Sequence, residues 1–203
     1  MKNIAVLLSG RGSNFKAIYS SIEAGYIADA RITTVVSNKA EAPGLQFAKD
    51  RGLNSYFVNP SEYGSRTAYD TVIIDILKSR KTDLVCLAGY MKLLSAKFVD
   101  TFKNRIMNIH PSLLPSFPGL NAQKQALDYG VKISGCTVHF VDKELDHGPI
   151  ILQKAVEIKE NDTVNDLSER ILKEEHKIYP EAVRLFVENR LTLHNRKVNI
   201  DYS

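Results

Sequence analysis

Short apolar runs rich in β-branched residues alternate with longer amphipathic segments from the start of this chain, and no other feature narrows its possible folds as far. Ile4-Ala5-Val6-Leu7-Leu8 has no polar member and gives way to Asn14-Phe15-Lys16-Ala17-Ile18-Tyr19. The next strand candidates are Ile32-Thr33-Thr34-Val35-Val36, Ser55-Tyr56-Phe57-Val58, Leu84-Val85-Cys86-Leu87-Ala88 and Arg105-Ile106-Met107-Asn108-Ile109-His110, with helices expected near 43–51 and 62–80. Strands apolar at consecutive positions are covered on both faces, and their alternation with helices is the rhythm of βαβ units. Two later runs, from Ile133 to Val141 and from Ile150 to Ile158, flank the polar turn Asp142 to Pro149 and read as an antiparallel pair. The expected fold is α/β: a Rossmann-like open sheet, parallel in its N-terminal part with an antiparallel C-terminal extension, and helices on both faces.

A long helix is expected from the capping pair Asp162-Thr163, with Val164, Leu167, Ile171 and Ile178 on one stripe until Pro180 kinks or interrupts it. Glu175 falls on the same stripe. A carboxylate on an inward face is costly unless it is paired or faces a ligand, and both readings stay open here. The tail from Leu191 shows only short β-like pieces.

Composition excludes several classes of function. The 203 residues suit one domain spanning 1–203, large enough to bury about 70% of its unfolded surface. With 27 Lys+Arg against 23 Asp+Glu the net charge is only +4, spread along the chain, so no nucleic-acid stripe is expected. No segment approaches the roughly 18 apolar residues of a membrane span. Cys86 and Cys136 have neither metal nor disulfide spacing and read as reduced, buried thiols, which suits a cytoplasmic protein.

Three segments carry polar groups suited to chemistry. Ser9-Gly10-Arg11-Gly12-Ser13-Asn14 joins the first strand to the first helix, where orphan amides and the helix dipole favour an anion. It is no dinucleotide fingerprint, since Phe15 stands where a third glycine belongs, and it lacks the Gly-Lys of a Walker loop. Either Ser13 caps the helix, or the amides of Gly12, Ser13 and Asn14 hold a monophosphate. In Asn108-Ile109-His110-Pro111 the amide and imidazole share one face at the carboxyl end of a strand, where α/β sheets bind ligands. An amide donor beside an imidazolium suits oxygen charge that develops in acyl transfer. The loop Asp142-Lys143-Glu144-Leu145-Asp146-His147 could bring Asp142 or Asp146 to His110. His139 reads as a core or face residue, and His176 and His194 as surface or helix contacts; no metal-ligand spacing and no nucleophile elbow is found.

Taken together, Leu8-Ser9-Gly10-Arg11-Gly12-Ser13-Asn14, Ala88-Gly89-Tyr90-Met91, Asn108 to Pro115, Gly135 to Val141 and Leu145-Asp146-His147-Gly148-Pro149 closely resemble the phosphoribosylglycinamide formyltransferases, folate-dependent enzymes of purine biosynthesis, in order along the whole chain. The block from Asn108 to Pro115 and the later Asp are shared by the wider formyltransferase superfamily, whereas the opening turn is more particular to this branch. The resemblance implies a catalytic set of Asn108, His110 and Asp146, with Gly12, Ser13, Asn14 and Glu175 on glycinamide ribonucleotide. It implies that 10-formyltetrahydrofolate lies along Arg66, Met91, Lys92, Leu93 and Leu94, with Asn108, Val141, Asp142 and Asp146. The half 1–100 would then bind phosphate and the half 101–203 carry catalysis and folate. No metal is implied, and the protein would be a monomer or homodimer whose partners are small molecules.

Departures from the family pattern are Lys92 where Arg is common, Gln123 where many relatives have His, and His147 where a smaller residue is frequent. With these departures a mobile loop near 112–130 could close differently over the site, and the sequence does not fix whether that loop is ordered without ligand. The rival readings are formyltetrahydrofolate hydrolase and methionyl-tRNA formyltransferase, which normally carry extra domains for which 203 residues leave no room. A non-catalytic nucleotide-binding module would leave Asn108, His110 and Asp146 without a role.

Overall fold

The computed structural model describes residues 1–202. The chain divides into two compact units, Met1–Asn108 and Ile109–Ser203. In the first, strands β1 (Lys2–Leu8), β2 (Ala30–Ser37), β3 (Ser55–Phe57), β4 (Leu84–Leu87) and the start of β5 (Ile106–His110) alternate with helices α1 (Ser13–Glu23), α2 (Pro43–Asp50), α3 (Arg66–Ser79) and α4 (Ala96–Thr101). All pair in parallel, with Val6 opposite both Val35 and Cys86, Val36 opposite Tyr56, and Cys86 opposite Met107. Ile4 to Leu8 are fully buried, as a strand covered on both faces requires.

In the second unit, α5 (Ala122–Tyr129) precedes β6 (Ile133–Phe140) and β7 (Ile150–Glu157), an antiparallel pair with Thr137 opposite Gln153. The long helix α6 (Val164–Val187) packs on both strands, and a hairpin of β8 (Leu191–His194) and β9 (Lys197–Ile200) follows. The main sheet has the order β3-β2-β1-β4-β5-β6-β7, the mixed α/β architecture expected, with its antiparallel portion at the C-terminal end.

Two local expectations are corrected. Pro180 does not end α6, which runs on to Val187. The proline ring removes one N–H bond toward His176, but Tyr179, Ala182, Val183 and Leu185 around it are fully buried, and that packing holds the helix together. The apolar stripe is also displaced: Leu167, Ile171 and Tyr179 form it, whereas Val164 in the first turn is exposed. Thr163 is the N-cap, closed by a capping box with Asp166.

Candidate active site

The turn after β1 is shaped by two glycines. Gly12 is the N-cap of α1 at φ 68°, in the left-handed region that suits glycine. A Cβ on it would lie 3.0 Å from the Gly44 Cα, and one on Gly44 would lie 2.8 Å from Leu8 Cδ2. The Gly44 amide donates to the Gly10 carbonyl at 3.0 Å, so α2 begins directly against the turn. Ser13 is therefore the first helical residue and its side chain does not cap the helix, which removes that alternative for the turn. The first turn of α1 contains no acidic residue, so its dipole is left to favour an anion from outside. A pocket of about 340 Å³ is lined by Ser9, Gly10, Lys39, Glu41 and Pro43 beside the turn.

In the same unit, the segment after β4 carries Met91 to Leu94. Met91 and Leu93 are exposed, and the Met91 amide donates to Ser9 Oγ at 2.8 Å. The segment ends at Ser95, the N-cap of α4, whose amide donates to the carboxylate of buried Asp70 at 2.5 Å. Burial raises the Asp70 pKa above its ordinary value, against the lowering effects of the Ser95 bond and the Arg66 and Lys92 charges. Arg66 and Lys92 thus share the electrostatic surroundings of one α3 carboxylate. Beneath them the Tyr69 and Tyr90 hydroxyls are bonded to each other at 2.9 Å, and burial pushes both phenol pKa values up.

On β5, Asn108 and His110 are two positions apart and so project from one face of the strand. In the second unit His110 Nε2 is bonded to the Phe117 carbonyl at 2.9 Å, which fixes the ring, while Nδ1 lies 3.4 Å from Asp146 Oδ2. The His110 and Asp146 side chains are 6% and 9% exposed, so the pair is shielded from water. Of the two acidic candidates it is Asp146 that meets His110; Asp142 instead bonds His147 Nδ1 at 2.7 Å. Asp146 sits at φ 50°, and its Oδ2 also accepts from the Gly119 amide at 2.8 Å. His139, which reads from sequence as a core residue, is buried with Nδ1 on the Phe140 carbonyl and Nε2 3.9 Å from Asp146 Oδ1. Burial lowers its pKa, so it flanks the carboxylate as a neutral ring. No sequence spacing signals that placement, because a buried strand histidine looks alike with or without a carboxylate nearby.

The segment from Ser112 to Pro118 is tied down in this structure. Ser112 Oγ donates to the Ser116 carbonyl at 2.5 Å, and Gln125 Nε2 donates to the carbonyls of Pro118 and Leu120. Behind it, buried Thr137 donates to the Ser112 carbonyl at 2.7 Å and accepts from the Leu114 amide and Gln153 at 3.0 Å. Glu175 is 7% exposed on the inward face of α6 beside Cys136, whose thiol pKa is pushed up to about 12 by burial first and the Glu175 charge second. Val141 directly follows β6. Gln123 lies on α5, His147 and His194 are exposed, and His176 is half-buried. Neither Cys86 nor Cys136 is in a disulfide. Among the described residues no group of three or more His, Cys, Asp or Glu is placed to hold a metal ion, and no helix is long and apolar enough to cross a membrane.

A parallel sheet whose fifth strand ends in Asn-x-His, with the imidazole facing a buried aspartate, has the character of an acyl-transfer site, and the model of the formyl transferase family matches residues 2–183. The chain belongs to the formyl transferase family. The phosphoribosylglycinamide formyltransferase of Escherichia coli K12 is 41% identical over 98% of this chain and 93% of its own length. The crystal structure of glycinamide ribonucleotide transformylase 1 from Symbiobacterium toebii superposes with a TM-score of 0.96 at 52% identity, covering 98% of this chain and 94% of that one. The bovine trifunctional purine biosynthetic protein adenosine-3 is 47% identical over 94% of this chain, which spans only 19% of that protein. A formyltetrahydrofolate deformylase from Pseudomonas syringae shares the fold at a TM-score of 0.90 but is 25% identical, and the chain covers 65% of it.

Proposed function

We propose that this protein transfers the formyl group of 10-formyltetrahydrofolate to the amine of glycinamide ribonucleotide in de novo purine biosynthesis, in the cytoplasm. The observation that carries the reading is the His110–Asp146 pair at 3.4 Å, in which His110 stands on the strand that also presents Asn108. In it, the phosphate rests on the amides of Gly12, Ser13 and Asn14, and Glu175 receives the glycinamide end. The exposed apolar segment Met91 to Leu94, with Arg66, Val141 and Asp142, holds the folate.

The substrate amine attacks the formyl carbon, and the carbonyl electron pair moves onto oxygen. Asn108 and the His110 imidazolium donate to that oxygen, with the ring held by the Phe117 carbonyl on Nε2 and by Asp146 beside Nδ1. Asp146 Oδ2, held by the Gly119 amide, stabilises the imidazolium. It also relays the proton lost by the attacking amine to N10 of the folate as the carbon–nitrogen bond to N10 breaks. The products are formylated ribonucleotide and tetrahydrofolate, with no covalent enzyme intermediate.

By the usual value of one oxyanion donor, Asn108→Ala lowers kcat about 10²–10³-fold, near 3 kcal/mol, with KM little changed. A raised KM with intact kcat would reduce Asn108 to a binding residue and refute this scheme. The identities of 52% and 41% to transferases, against 25% to the deformylase, support an amine rather than water as acceptor.

A further inference from the structure

Just after β1, Ser9 is 5% exposed, and its amide and hydroxyl together reach two other loops. Its amide donates to the Gly89 carbonyl at 3.1 Å, its hydroxyl donates to Asn38 Oδ1 at 2.5 Å, and the same oxygen accepts from the Met91 amide at 2.8 Å. The residue thus ties the turn that begins at Gly10 to the ends of β2 and β4. Ser9 is also the last residue before that turn, whose Gly10 carbonyl accepts from Gly44. A displacement of the turn is therefore passed to the Met91 amide through one side-chain oxygen of a buried residue, whose two bonds are short, at 2.5 and 2.8 Å.

We infer that Ser9 is a positioning residue that couples the two substrate loops, so that an anion seated on the Gly12–Asn14 turn pre-sets the backbone of Met91 to Leu94 for the folate. The inference rests on the assignment of those two segments given above. It makes the two substrates bind with positive coupling, and it routes that coupling to the Met91 amide through the Ser9 hydroxyl. Ser9→Ala removes both side-chain bonds at once and leaves the Met91 amide without its acceptor. Asn38→Ala, at a half-buried position, leaves the Met91 bond in place and removes only the partner that orients the hydroxyl.

The test uses tetrahydrofolate and glycinamide ribonucleotide, a pair that binds without turnover, with calorimetry of each alone and in the presence of the other. In wild type the ribonucleotide should tighten tetrahydrofolate binding about 5- to 10-fold, the worth of one buried hydrogen bond. That factor should fall to near one in Ser9→Ala and to an intermediate value in Asn38→Ala, with KM for the formyl donor raised more than kcat is lowered. Hydrogen exchange at the Met91 amide, read by NMR without ligand, should be slowed in wild type and in Asn38→Ala and fast in Ser9→Ala. Equal coupling in all three proteins would overturn the inference while leaving the transferase intact. Failure of wild type to bind either ligand would overturn the substrate assignment itself, whatever the amide exchange showed.

Discussion

Gly148 offers a sharp test of how the Asp146 loop is held. A Cβ added there would lie 1.8 Å from the Phe140 carbonyl oxygen and 2.8 Å from its carbon, whereas real Cβ contacts essentially never fall below 3.0 Å. Both atoms belong to backbone at the end of β6, so no side chain can swing aside. In Gly148→Ala the loop itself must retreat, by about 1 Å or more on these distances. Asp146 is two residues away, at φ 50° and 3.4 Å from His110 Nδ1, so such a retreat breaks the pairing. Misplacement of a reacting group by about 1 Å costs on the order of 10²-fold in rate. Overpacking of this kind costs about 1–3 kcal/mol of stability, and at roughly 2–4 °C per kcal/mol for a chain of this size Tm drops by about 2–12 °C. The assay is steady-state turnover well below Tm, with both substrates varied. The expected result is a kcat loss of about 10²-fold with a smaller change in the KM of the ribonucleotide. Wild-type kcat in a folded Gly148→Ala protein would show that the position of Asp146 does not set the rate.

Other consequences follow from the buried polar groups. Thr137→Val keeps the shape but strips partners from the Ser112 carbonyl and the Leu114 amide, so a loss of about 2–3 kcal/mol is expected by thermal or urea unfolding; an unchanged Tm would mean water replaces the hydroxyl. Burial raises the Asp70 pKa in the folded state, so its contribution is most favourable below the ordinary carboxylate value and is lost as pH rises through the raised value. Asp70→Asn, which keeps an acceptor for the Ser95 amide, should therefore gain stability relative to wild type as pH climbs from that ordinary value toward neutrality, and the opposite trend in Tm difference would contradict the burial argument. Tyr90→Phe leaves the Tyr69 hydroxyl without its buried partner and should cost about 1–3 kcal/mol in the same measurement.

The strands were legible because their apolar residues run consecutively, and Ile4 to Leu8 are indeed covered on both faces. Asn108 and His110 were legible for a similarly local reason, since strand periodicity alone sends them to one face. Glu175 stood out as a carboxylate in an apolar stripe and is buried there. What could not be read depends on contacts distant in sequence. Gly12 takes the cap position because Gly44 lies against it, and Ser13 alone looks like a cap. Pro180 reads as a helix breaker until its buried surroundings are known. The choice of Asp146 over Asp142 follows from a left-handed backbone at one residue and a His147 partner at the other, neither of which composition reveals. Ser9, Asn38 and Met91 meet across 82 positions of sequence, with nothing in any one segment to announce the junction.

The central claim is formyl transfer to an amine by direct attack, and it is tested most directly by following deformylation of 10-formyltetrahydrofolate by absorbance, with glycinamide ribonucleotide present and then omitted. Turnover that requires the ribonucleotide, with formylated ribonucleotide formed mole for mole with tetrahydrofolate, is the predicted result. Equal turnover without it would make water the acceptor and contradict the account.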